Sequence, residues 1–437
     1  SRKPSLRESQ KEKLKTSIRS NKGGKMINFD VEPEFQEQID WVEKFAKEEI
    51  EPLDNFFRIG KTKDGNPVTK EGWAAIRKHI ESLKEKVKEQ GLWGFHLGRD
   101  LGGPGLGQVK LCLLNEKLGR TRMGPTLFGC QAPDTGNMEL IAHNGTEDQK
   151  ERYMKPLLSG AKRSAYSMTE PHAGEPGEFI TSAKRDGDEW VINGHKVMTS
   201  NGIRADFAIV MCRTEEESDS GEVNSKMTQI IVPTNSPGFN IIRSVPIWGH
   251  TGGDHVEIKY ENVRVPLENQ LGARGSGHAA AQDRLGAGRV FHCMNSIGQM
   301  WRAFDLMSKR TTTREVHGGL LESKQMIQGF IADSYIDIQT ARLMTIHCAE
   351  VMDSDGDPRV DISAIKIYVP AAMHRVVDRA IQVYGWKGVS ADLPLFGMYQ
   401  GARTLRLADG PDEVHRILIA KQILKKYKDG LSWDFGV

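Results

Sequence analysis

Residues 189–202 read EWVINGHKVMTSNG, and this stretch divides the chain into two kinds of structure. Asn193-Gly194 is the dipeptide that most favours a tight hairpin, and it gives the strongest short hairpin signal in the chain. We read two short strands around that turn, ending in the polar Ser200-Asn201. Working outward, DFAIVMCR (206–213), KMTQIIVPT (226–234) and HVEIKYENVRVP (255–266) are rich in β-branched residues and read as further strands. Beyond them the period changes. FQEQIDWVEKFAKEEIEPLDNFF (35–57) places Phe35, Ile39, Trp41, Val42, Phe45 and Ile50 at helix-like spacing, and Pro52 is expected to end that helix or open the next segment. Val109 to Leu118 also reads as helix. After Ala279, FHCMNSIGQMWRAFDLM, KQMIQGFIADSYIDIQTARLMTIHCAEVM and SAIKIYVPAAMHRVVDRAIQVYG are long helical patterns. The expected order is helical (27–160), β (161–278) and helical (279–430). A basic, Ser-rich leader (1–26), read as flexible, stands at one end and a short tail (431–437) at the other.

Bulk properties remove several functions. The formal net charge of +2 over 437 residues gives no electrostatic footprint for nucleic acid. Five cysteines without a CxxC pair argue against a disulfide framework or a zinc site, so no metal is expected and a reducing compartment is. No apolar run is long enough for a membrane span. The chain is therefore expected in bacterial cytoplasm or the mitochondrial matrix, not secreted.

Four segments are candidates for chemistry. SMTEPHAG (167–174) follows a strand and exposes backbone N–H groups and hydroxyls, which suits the electron-rich edge of a flavin. Ser200 and Asn201 could enter the same cleft, although a plain surface hairpin explains them too. In RLADGPDEVHRILIAKQIL (406–424), Asp412 and Glu413 suit the start of a helix, Asp412 as its cap. Asp409 emerges from the apolar LRLA, where partial desolvation would bring its pKa towards the range of a general base. AIQVYGWKG (380–388) permits close backbone approach at its glycines but is not a dinucleotide fingerprint.

In this order these segments resemble the acyl-CoA dehydrogenase family, from about residue 30 to 428. GLWGFHLGRDLGGPGLG (91–107), APDTGNME (132–139), MTEP-HAG, NGHK-VMTSNG, VPIWGHTGGDHVEIKYENVRVPLENQLG (245–272) and LADGPDEVH carry the likeness. The last is similar to a branch with Asp-Gly at the base position. The resemblance implies an α+β, mainly α fold: an N-terminal helical domain, a central β-domain and a C-terminal four-helix bundle. It implies FAD as cofactor and α,β-dehydrogenation of an acyl-CoA thioester, with electron-transferring flavoprotein as acceptor. It carries Asp409 over as the base and Arg289 as an arginine near the base and CoA. Met168, Thr169 and Ser200 match flavin contacts. Arg314, Gln325, Gln382 and Gly385 match the adenine and pyrophosphate end, partly across a subunit interface, so a homodimer or homotetramer is implied. Glu175-Pro176 stands where the family has Ser-Asp beside the acyl chain, which makes Glu175 a substrate-side candidate, and Trp386 replaces a glycine. An oxidase or monooxygenase of the same fold acting on a non-CoA substrate, such as a nitroalkane, and a non-catalytic binding protein are alternative readings.

Overall fold

The protein is described by a computed structural model over residues 31–54, 68–174, 176–217, 223–249, 253–354 and 356–433. The leader at 1–26, Glu175 and the end of the tail lie outside the described residues.

Among the described residues, the longer helices before the first strand are α1 (Pro33–Phe45), α2 (Lys70–Glu89), α3 (Gln108–Leu118) and α4 (Asp134–Asn144), accompanied by shorter helical turns. Of the predicted positions in α1, Phe35, Ile39, Val42 and Phe45 are buried and Trp41 is half-buried. Pro52 does not stop the helical run but stands at the start of its last segment, residues 51–54. A π turn follows at Ala46–Ile50, where Glu51 N–H bonds back to Ala46 O, and residues 51–54 stay helical. A widened ladder tolerates a ring that lacks an N–H. Thr69 caps α2 by accepting Gly72 N–H at 3.1 Å.

Eight strands follow: β1 (Ser164–Ser167), β2 (Ser182–Asp186), β3 (Glu189–Thr199), β4 (Phe207–Glu217), β5 (Val223–Pro233), β6 (Phe239–Ser244), β7 (Val256–Pro266) and β8 (Gln270–Leu271). They form one sheet in the order β6-β7-β3-β2-β4-β5-β8, with β1 parallel to β4. The hairpin expected at Asn193-Gly194 is corrected here. Residues 189–199 are a single strand, and the turn lies at Gly187-Asp188, where Asp186 pairs with Glu189. The Asp186-Gly187 dipeptide was the overlooked signal. Asn193-Gly194 instead marks a register shift against β7. A Cβ on Gly194 would stand 2.3 Å from Thr181 Oγ1, so close strand approach, not a turn, requires this glycine.

The chain then returns to helix: α5 (Gly277–Thr311), α6 (Gln325–Asp353), α7 (Arg359–Tyr384), α8 (Leu395–Leu405) and α9 (Asp412–Lys428). The two helical regions share one core although the sheet separates them in sequence. Phe35, Leu83 and Leu114 are buried in the same cluster as Met300, Ile338 and Val376. A buried ion pair between Asp54 and Arg302 ties the N-terminal region to α5. The sheet has its own core around Trp190, Ile192, Val210 and Ile258.

Candidate active site

Between α8 and α9 the chain makes a turn at 406–411, and Asp409 sits in it with φ 55°, followed by Gly410 at φ 98°. Left-handed backbone is disfavoured for most side chains, and aspartate is among those that tolerate it. Two helices hold the turn. Arg289 of α5 donates its Nε–H to Asp409 O at 2.8 Å. Lys366 of α7, 1% exposed, donates its ammonium to Leu405 O at the negative end of α8. Asp412 does not cap α9. It is 4% exposed and accepts from Arg406 Nε at 2.8 Å, closing the turn from within. The His415 ring lies against Gly410 and its Nδ1 is 3.2 Å from Ser363 Oγ. Burial, helped by Arg289 and Lys366, pushes His415 down to about 4 and keeps it neutral. The LRLA stretch does not shield Asp409, since Leu407 is 58% exposed. The Asp409 carboxylate is one-quarter exposed, and His292 Nε2 lies 3.4 Å from its Oδ2.

The strand ends are built around a buried ion pair that sequence reading missed. Glu170 accepts N–H groups from Ile180 at 2.8 Å and Thr181 at 2.9 Å, and the Lys196 ammonium at 3.0 Å. Both side chains are fully buried. Burial alone would raise the Glu170 pKa, but the Ile180 and Thr181 bonds and Lys196 outweigh it and hold the carboxyl below its ordinary range. Lys196 also donates to Met168 O at 2.6 Å and lies 4.2 Å from the centre of the Phe179 ring. Val197 N–H donates to Thr169 O at 2.9 Å. Met168 and Thr169 are thus held through their carbonyls. The available signal was a lysine at an inward position of β3, in phase with Trp190 and Ile192. A second register shift at Lys196/Thr199 leaves Met198 at φ 59° and 43% exposed. Ser200 Oγ lies 2.8 Å from His255 Nδ1. Asn201 Nδ2 donates to Ser164 O at 2.9 Å, and Ser164 N–H donates to the buried Asp134 at 2.7 Å. APDTGNME therefore acts as a brace for β1.

Helix α5 connects these parts. Met168 packs in the cluster that contains Ala281, and Arg289 lies eight residues further, about 12 Å along the helix. Between them stand two partly exposed glycines. A Cβ on Gly288 would meet nothing within 4 Å, and one on Gly286 only Ile362 Cδ1 at 3.8 Å. Glycine inside a helix lowers stability by roughly 0.5–1 kcal/mol relative to alanine, and no packing neighbour here requires it. Two residues apart, these glycines face opposite sides of α5; Gly288, seven residues after Ala281 and so on its face, leaves that wall of the helix without a side chain. Gly288→Ala is accordingly expected to raise the urea midpoint of the ligand-free protein while weakening flavin or substrate binding. Unchanged binding in titrations would show that no ligand uses this wall.

Trp248, in the β6–β7 loop, closes the arrangement. Its Nε1–H donates to Thr404 Oγ1 of α8 at 2.9 Å, and its backbone is at φ 56°, an outlier for so bulky a residue. The sheet is thereby fastened to the helix that leads into Asp409. Arg314, Gln325, Gln382 and Gly385 do not join this site. All four are exposed and gather at the other end of α5, where Tyr384 Oη donates to Leu306 O at 3.0 Å. Arg289 and Arg310 are 21 positions apart on that helix, about 30 Å. Trp386, there too, is 70% exposed. Glu175 lies outside the described residues.

Comparison with known sequences and structures follows the same division. The chain matches the acyl-CoA dehydrogenase N-terminal domain over residues 32–161, the middle domain over 165–263 and the C-terminal domain over 275–424. Rat "Acyl-CoA dehydrogenase family member 11" is 38% identical over 399 residues, covering 89% of this chain and 50% of the rat protein. The Mycobacterium tuberculosis protein "Probable acyl-CoA dehydrogenase FadE2" is 41% identical over 357 residues, covering 80% of this chain and 86% of that one. A solved Mycobacterium abscessus structure, described as a candidate acyl-CoA dehydrogenase, is 34% identical with a TM-score of 0.83, covering 91% and 100%. The chain spans about half the length of the animal family member 11 proteins it matches.

Proposed function

The chain belongs to the acyl-CoA dehydrogenase family, and from that premise we propose that it converts an acyl-CoA thioester to the 2-enoyl-CoA with FAD. The observation that carries the reading is Asp409, held in left-handed backbone by Arg289, with its carboxylate one-quarter exposed beside His292 of α5. The family is FAD-dependent. The residues present suit a flat ring: the Met168–Thr169 turn is held through its carbonyls, and the α5 face that carries Ala281 has only Gly288 two turns further on.

FAD supplies the acceptor for the hydride leaving the β-carbon. Asp409, as carboxylate, takes the α-proton. Arg289 fixes the backbone carbonyl of Asp409, so the carboxylate keeps its aim during transfer. Trp248, bonded to Thr404 of α8, ties the sheet to the helix before Asp409, and a cleft that bound substrate closes to water would strengthen the charge interactions inside it. Met168, Thr169 and Ser200 would line the ring, with Ser200 oriented by His255. Arg314, Gln325, Gln382 and Gly385 would hold the adenine and pyrophosphate end of a cofactor belonging to a neighbouring copy, because a 30 Å separation suits two subunits better than one. Exposed Met326, Tyr335, Ile336 and Leu343 on α6 support a homodimer or homotetramer. Glu175 is proposed on the substrate side and electron-transferring flavoprotein as oxidant. Among the described residues, no helix is long and apolar enough to cross a membrane.

The purified protein is expected to be yellow, to release FAD on heating, and to bleach anaerobically with acyl-CoA but not with nitroalkanes. Colourless protein that FAD does not reconstitute, or a flavin that no acyl-CoA reduces, would overturn the assignment.

A further inference from the structure

We infer that His292 is the proton-transfer partner of Asp409, carrying the substrate-derived proton from the base to solvent; the inference rests on the reading of Asp409 above. The α-proton taken by Asp409 must leave before the base can act again. While an acyl chain fills the cleft, the open side of the carboxylate is covered, so the proton needs a route through a side chain.

The surroundings of Asp409 narrow the choice. Arg289 from α5 is bonded to the Asp409 carbonyl and has no lone pair to accept a proton. Lys366 from α7 is 1% exposed and bonded to Leu405 O. His415 from α9 is 2% exposed and faces Ser363. The thiol of Cys293, next to His292 on α5, is fully buried. Asp412 is occupied by Arg406. His292 meets both conditions: its Nε2 is 3.4 Å from Asp409 Oδ2, and its side chain is 32% exposed. It stands one turn after Arg289, so α5 presents the cation that fixes the base and the imidazole that serves it from one face.

The step balances without redox change. The Asp409 O–H bond breaks and the proton forms an N–H bond at Nε2 of His292 in its Nδ1–H tautomer; the imidazolium gives its Nδ1 proton to water, and proton exchange with solvent restores the Nδ1–H tautomer. Asp409 returns to carboxylate and His292 to its neutral form.

The test uses the FAD-loaded enzyme and His292→Gln, whose amide keeps a polar contact and favours helix but does not take up protons. The enzyme is equilibrated anaerobically with a saturated acyl-CoA in D2O. Deuterium at the α-carbon of the recovered acyl-CoA then reports exchange of the Asp409 proton during reversal. Stopped-flow absorbance reports flavin reduction, and thermal melting reports folding. We expect His292→Gln to reduce the flavin within about threefold of wild type while α-deuterium incorporation falls at least about tenfold, a threshold set below the roughly 10²–10⁴-fold usual for a positioned proton-transfer group. Wild-type incorporation in the variant overturns the inference alone. A parallel loss of reduction and exchange also overturns it, because His292 then only positions the base. A wild-type flavin that acyl-CoA does not reduce overturns the reading of the site and the inference with it.

Discussion

Asp409→Asn is expected to slow anaerobic flavin reduction by acyl-CoA by about 10²–10⁴-fold, the usual contribution of a positioned general base. Flavin content should stay near wild type. Asparagine is the other side chain that readily adopts left-handed backbone, so the turn at φ 55° survives. The clamps on that turn also survive, because Arg289 bonds the backbone carbonyl and Lys366 the carbonyl of Leu405. Asp412→Asn provides the contrast. It leaves Arg406 without its buried carboxylate, so it should lower stability by about 1–3 kcal/mol and disturb the rate far less. Stopped-flow traces of both variants decide the matter. Near-wild-type reduction by Asp409→Asn would show that the base is another residue, and Glu175 would be tested next.

Lys196→Met is expected to destabilise the protein by about 3–5 kcal/mol, as removal of one partner from a buried ion pair generally does. Glu170 would keep the N–H bonds from Ile180 and Thr181 but lose its counter-ion inside the sheet. Met168 O would lose its donor as well, so the turn proposed to face the flavin should loosen and FAD should wash out on gel filtration. The pH dependence has a definite sign. The folded pKa of Glu170 lies below its ordinary 4.5, so its contribution is fully present above that value and is lost as pH falls through the lower folded value. The stability gap between wild type and Lys196→Met, measured by urea unfolding, should therefore narrow in acid. Glu170→Gln combined with Lys196→Met should recover part of the loss, because no unpaired charge remains. An equal gap at every pH would place the effect in packing instead of the ion pair.

Sequence alone determined the helical–β–helical order, because the periods of 3.6 and 2 are set by neighbours a few residues away. It also singled out Asp409, whose Asp-Gly-Pro setting is local. Local pattern failed where the deciding contact is distant. Asn193-Gly194 carries the chemistry of a turn, yet Thr181 and β7 keep it inside a strand. Asp412 has the position of a helix-start residue, yet the tertiary fold folds Arg406 back onto it and buries it. Arg289 and Asp409 are 120 positions apart, and Trp248 and Thr404 are 156 apart. No local pattern announces such pairs. Only the tertiary structure decided that Lys196 faces Glu170 in the sheet and that His292 stands beside Asp409. It also set Arg314 and Gln382 at the far end of α5 from Asp409, because a helix of 35 residues keeps its two ends apart.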